Sequence, residues 1–241
     1  MWQAVLWGGV SGSAVLIGAL VALFTHIPKR GIGIIMSFGT GVLMGAATFE
    51  LLGESAEKSG LTPIIIGFLS GALIFTLFDF WLQKRGAQHR KRSHAHAAAG
   101  SGLAIFLGTV MDAIPESIMI GASLTTGGSV SWLLVIAIFL SNFPEGLSST
   151  TGLQSSGFSK GKIIWMWIAV LAVAALSSFG GYFFLEGVSE STLALIASFA
   201  GGGIMAMVAS TMMPEAYEEG GPVVGFVAAA GLLVSLVLTT F

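Results

Sequence analysis

Residues 101–124 read SGLAIFLGTVMDAIPESIMIGASL, and residues 131–153 read SWLLVIAIFLSNFPEGLSSTTGL. A helix needs about 20 mainly apolar residues to cross the hydrocarbon core of a bilayer, and both stretches meet that length. Neither shows the alternation a membrane β-barrel strand requires. Yet each carries an acid directly after a proline near its middle, Glu116 after Pro115 and Glu145 after Pro144. Even lenient scales charge roughly 2.5–3.5 kcal/mol for an ionised group at that depth, so such a residue marks a functional site by default.

Working outward, six further apolar runs lie near 3–24, 32–53, 62–83, 163–185, 192–214 and 222–240. The expected fold is therefore all-α: a polytopic membrane protein with eight transmembrane helices in a single domain, 1–241. The first run begins at Trp2 without a basic leader, so it reads as a retained helix rather than a signal peptide. Composition agrees. The 241 residues are 54% hydrophobic and only 9% charged, where soluble domains carry about 25% charged residues. That leaves too little polar surface for a water-soluble globule and excludes a cytosolic enzyme or a disordered chain. A net charge of −2 provides no basic field for nucleic acid. With no cysteine there are no disulfides or thiolate metal sites. The 34 glycines point to helices packed backbone to backbone.

The ten cationic residues fix the orientation. All but Lys58 fall in the first, third and fifth loops: Lys29, Arg30, Lys84, Arg85, Arg90, Lys91, Arg92, Lys160 and Lys162. The positive-inside rule puts those loops in the cytoplasm and both termini outside, in a multi-pass protein of the cell (inner or plasma) membrane. The third loop, 84–100, reads KRGAQHRKRSHAHAAAG and holds His89, His94 and His96. It is expected to be cytoplasmic, either handling metal or anchoring to the inner leaflet.

Most of the twelve acids sit at helix ends or in loops. Asp112, Glu116 and Glu145 do not, and Glu50 lies about a turn from the outer end of the second run. At 3.6 residues per turn Asp112 and Glu116 share one face, as do Ser141, Asn142 and Glu145. Each proline also frees the carbonyl four residues earlier, Met111 and Leu140 respectively. A short turn at 125–130 makes the two helices antiparallel neighbours. The expectation is three carboxylates, an amide, a hydroxyl and loose carbonyls at one level. Gathered in low dielectric, they must take up protons or hold a cation, and oxygen donors suit hard or borderline divalent ions. The competing readings are that Pro-Glu marks two helix ends, or that the acids carry protons only.

These residues carry a family likeness. Eight helices, outer termini, a His-bearing third loop and paired Pro-Glu motifs on the fourth and fifth helices resemble the ZIP (Zrt/Irt-like) family of divalent-metal transporters. The small-residue stretch Gly39–Glu50 (GTGVLMGAATFE) is similar to the family's second helix. Ala200 to Met207 (AGGGIMAM), followed by Met213-Pro214-Glu215-Ala216, is similar to its seventh. The resemblance implies a 3+2+3 helix arrangement, with helices 1–3 and 6–8 related by inversion. It also implies an elevator-like motion of helices 1, 4, 5 and 6. Asp112 and Ala113 stand where the family usually has His-Asn, and Ser141 and Asn142 where it has His or Gln followed by Asp or Asn. Leu176-Ser177-Ser178-Phe179-Gly180 lacks the sixth-helix Glu, and Ser210-Thr211 replaces an acidic or His-Glu pair.

Carried over residue by residue, the resemblance implies a reduced metal site. Its ligands are Asp112, Glu116 and Glu145, with Asn142 and Ser141 as lesser ones, and the second metal position is lost. The expected function is transport of divalent metal cations of the zinc, manganese, iron or cobalt class, toward the cytoplasm. The metal is a transported substrate, and no cofactor is expected. Partners are the metal ion and the lipid bilayer, with a homodimer left open and no nucleic acid. Glu215, with Glu218 and Glu219, reads as an acidic exit vestibule or a solvated helix end. Two alternatives stay open: a non-transporting regulator or scaffold of the same likeness, and a proton-coupled transporter of another solute. An enzyme is not expected, since the chain has no Gly-x-Gly-Asp, His-Glu-x-x-His or Gly-x-Ser-x-Gly pattern.

Overall fold

A computed structural model of the chain describes residues 1–84, 101–127 and 129–240. Helix α1 spans Trp2–Phe24. Helix α2, Lys29–Ala46, runs through a π-helical turn, Ala47–Gly53, into α3, Glu54–Ser59. Next come α4, Leu61–Lys84; α5, Ser101–Gly127; α6, Trp132–Ser155; and α7, Lys160–Leu185. Helix α8, Glu190–Met207, passes through a second π turn, Val208–Met212, into α9, Met213–Gly220, and α10 is Val223–Leu238. Ser131, Ser159 and Ser189 start α6, α7 and α8 by accepting the backbone N–H of Leu134, Lys162 and Thr192. Each satisfies a donor the first turn leaves open.

Among the described residues there is no strand, and seven helical rods are long and apolar enough to cross a membrane. Val223–Leu238 is a shorter apolar helix. The chain is an all-α polytopic membrane protein. The second and seventh rods outrun the expected 32–53 and 192–214, reaching Lys29–Ser59 and Glu190–Gly220. The π turns carry helical hydrogen bonding past the expected ends, and Gly60 and Gly221, both at positive φ, stop it. The basic, histidine-bearing loop lies outside the described residues.

Water gives helices inside a bilayer no reason to associate, so close van der Waals packing must hold them, and glycine allows the nearest approach. Where α1 crosses α6, a Cβ on Gly18 would lie 2.2 Å from the Phe143 carbonyl oxygen, and one on Gly146 would lie 2.2 Å from that of Val15. The same reciprocal pattern joins α2 to α10 (Gly41 and Gly231), α4 to α8 (Gly71 and Gly202) and α5 to α7 (Gly121 and Gly181). Exchanging α1 with α7, α2 with α8, α4 with α10 and α5 with α6 turns these four pairs into one another. Because exchanged spans run in opposite directions, this is an inverted repeat. In the sequence it leaves only the glycine-rich centres of the second and seventh spans.

The helices sort into two packed groups, α1, α5, α6 and α7 in one, and α2, α4, α8, α9 and α10 in the other. The groups meet chiefly where α2 lies against α6. There a Cβ on Gly39 would fall 2.3 Å from the Leu140 carbonyl oxygen. Leu140 is the carbonyl that Pro144 frees, so this oxygen is covered by α2 rather than left loose.

Candidate functional site

Pro115 and Pro144 both lie inside unbroken helices, α5 and α6. The reading of Pro-Glu as two helix ends is thereby overturned. Asp112, Glu116, Ser141, Asn142 and Glu145 are all buried, none more than 4% exposed. Glu145 is reached from across the seam: the Thr109 hydroxyl of α5 donates to Glu145 Oε1 at 3.0 Å. Thr109, Asp112 and Glu116 fall at i, i+3 and i+7, one face of α5, so this bond aims that face at α6.

The bond also sets the register. With Thr109 at Glu145, Asp112 lies about 4.5 Å and Glu116 about 10 Å further along the axis of α5. Each side chain leans toward the N-terminus of its own helix, so Glu116 and Glu145, on antiparallel helices, lean toward each other along the seam. Among the described residues no three His, Cys, Asp or Glu side chains form a group that could hold an ion. Ser141 spends its hydroxyl proton on the Ile138 carbonyl at 3.1 Å. Its oxygen lone pairs are what it can offer a cation.

Buried polar groups continue along α6 beyond Glu145. One turn on, the Ser148 hydroxyl of α6 donates to the Glu215 carboxylate of α9, and both residues are buried. Sequence reasoning placed Glu215 at a vestibule or solvated end. The structure leaves Glu218 exposed there but buries Glu215 at 2% exposure. At the opposite end, a cavity of about 600 Å³ opens between the first π turn, α3, α5, α6 and α8. Glu50, Glu54, Lys58 and Glu190 line it. Ser131 at the start of α6 lines it beside Glu50, and Lys58 pairs with Glu54. Glu50 thus sits in the π turn at the mouth of the seam, and π turns recur at functional sites.

The remaining candidates are structural. Ser178, in the sixth-span stretch without an acid, is buried against Gly8, where a Cβ would lie 2.4 Å from its own Cβ. Met207 and Met212 belong to the main apolar core. His26 is exposed beyond the end of α1. Buried acids on facing helices, broken by hydroxyl and amide groups, can pass a cation or protons between successive oxygens while apolar neighbours keep bulk water out.

No family model matches the chain. A curated Arabidopsis thaliana protein described as a "Putative zinc transporter" is 27% identical over 213 residues, which covers 87% of this chain. The chain spans about a third (34%) of the length of that relative.

Proposed function

We propose that the protein carries divalent metal cations across the membrane along the α5–α6 seam. A cation enters from the acidic mouth at Glu50, Glu54 and Glu190, and is held by Glu116, Asp112 and Glu145 with Asn142 and Ser141 as neutral donors. It then passes toward Ser148 and Glu215. Carboxylate, amide and hydroxyl oxygens without imidazole or thiolate fit zinc, manganese, iron or cobalt without a strong preference among them. The direction is toward the end that bears Lys29, Arg30, Lys160 and Lys162, the cytoplasmic end by the positive-inside rule.

The observation that carries this reading is the burial of three acids on two facing helices, bridged by Thr109 to Glu145. Burying uncompensated carboxylates at such depth is costly, and a transient cation compensates them. The resemblance to the ZIP family and the zinc in the name of the Arabidopsis relative point the same way. The test is metal uptake into proteoliposomes loaded with a metal-sensitive dye. Uptake of zinc or manganese by the unaltered chain, and its loss in Glu116→Gln and in Glu145→Gln, is the expected result. Equal uptake in both variants removes the site; no uptake of any of the four metals by the unaltered chain favours the regulator or scaffold.

A further inference from the structure

The two ends of the seam are built differently. At the outer end the 600 Å³ cavity reaches between the two helix groups, with Ser129 exposed at its rim. At the inner end Ile32, Met36, Leu147, Ala216 and Val224, from α2, α6, α9 and α10, form one buried apolar cluster. Beside Leu147 and Ala216 lies the buried bond from Ser148 to Glu215. Ser148 belongs to the group containing α1, α5, α6 and α7, and Glu215 to the other. The bond therefore ties the groups together where the passage is shut.

The segment that carries Glu215 has its own hinge. α9 begins directly after the π turn Val208–Met212, with Pro214 in its first turn. A π turn interrupts the regular ladder of hydrogen bonds, and Pro214, just after it within the continuous Glu190–Gly220 rod, removes one more backbone donor. At its other end α9 is held close to α2, where a Cβ on Gly33 would lie 2.8 Å from the Ala216 carbonyl oxygen. Glu215 is thus presented to α6 on a short helix set off from α8.

We propose that Glu215 is a positioning residue of the transport path: through Ser148 it latches α9 to α6 and holds the inner end closed while the outer mouth is open. This rests on the seam being the path of passage. A cation leaving Glu145 competes with Ser148 for the Glu215 oxygens, which breaks the latch and lets the groups separate on the inner side.

The chain has no cysteine, so single reporters can be introduced without background. Ser149→Cys is nearly isosteric at a buried site whose hydroxyl has no hydrogen-bond partner among the described residues. Ser129→Cys reports on the outer rim. In inverted and right-side-out vesicles, a membrane-impermeant maleimide labels Ser129→Cys quickly from outside and Ser149→Cys slowly from inside. Adding Ser148→Ala raises inner labelling of Ser149→Cys by about tenfold or more, the effect of losing one hydrogen bond to a charged group. It also slows labelling at Ser129→Cys. Glu215→Gln raises inner labelling as well, and the double variant adds nothing further, as expected of two partners in one contact. Ser148→Thr, which keeps the hydroxyl, restores slow inner labelling. Unchanged inner labelling in both Ser148→Ala and Glu215→Gln overturns the latch, as does failure of Ser148→Thr to restore it. Labelling needs no metal, so the expected pattern without uptake defeats the cargo reading alone, and intact uptake without the pattern defeats the latch alone.

Discussion

Gly39→Ala is the perturbation whose size follows most directly from the packing. The added methyl would meet the Leu140 carbonyl oxygen at 2.3 Å, the Leu140 carbonyl carbon at 2.8 Å and Ser141 Cα at 3.0 Å. All three are backbone atoms, so no rotamer change relieves them. Relaxed carbon–oxygen contacts between helices lie near 3.3–3.6 Å, so α2 and α6 must part locally by about 1 Å. Forcing a methyl into a packed contact costs about 1–3 kcal/mol. Alanine gains about 1 kcal/mol of helix propensity over glycine, which would obscure the effect in a single measurement. Gly225→Ala in α10 supplies the control, because a Cβ there meets nothing within 4 Å among the described residues. The difference between the two variants cancels the propensity gain and isolates the clash. For a chain of this length it corresponds to roughly 2–10 °C in Tm, Gly39→Ala being the lower. Thermal unfolding of both in detergent measures it, and proteoliposome uptake should fall for Gly39→Ala because Ser141 shares the disturbed contact. Equal Tm values would show that α2 and α6 do not touch at Gly39 as described.

Other expectations concern the seam and its support. Thr109→Val removes the hydroxyl bonded to Glu145 but keeps the shape of the side chain, so uptake should drop severalfold while Tm changes by no more than a few degrees; unaltered uptake would mean that Thr109 does not serve the acid. Asp112→His introduces an imidazole beside Glu116 and should shift uptake toward zinc over manganese in competition assays, and an unchanged ratio would remove Asp112 from the ligands. Thr150→Val leaves the buried Trp167 indole N–H, now bonded to the Thr150 hydroxyl at 2.8 Å, without its acceptor. That should cost about 1–3 kcal/mol in unfolding experiments without altering metal preference, and a neutral variant would contradict it.

How much of this was legible beforehand depends on which physical signal each feature leaves. The apolar runs announce themselves, because no other fold tolerates so few charges over such lengths. Asp112 with Glu116, and Asn142 with Glu145, share faces by helical period alone, so their helices and their burial could be anticipated. The register between the two faces could not, since it depends on the crossing of α5 and α6, which no local pattern records. Thr109 was passed over for the same reason: a lone threonine in an apolar helix usually bonds to its own backbone, and only the register brings it to Glu145. Glu215 misled because Tyr217, Glu218 and Glu219 beside it give the composition of a solvated helix end. Its burial comes from α9 lying along α2 with Ser148 of α6 bonded to it, a tertiary fact. The π turns Ala47–Gly53 and Val208–Met212 contain ordinary helix residues, so nothing in the letters marks them. The glycines were visible as a class, but their reciprocal pairing, and the inverted repeat it exposes, required the partners to be known.

The most direct test of the central claim is an anomalous-scattering map from crystals grown with manganese or zinc. The account predicts a peak between α5 and α6, within about 2.0–2.3 Å of carboxylate oxygens of Asp112, Glu116 or Glu145. A well-occupied peak elsewhere, such as at the outer cavity or the histidine loop, with none along the seam, would contradict it.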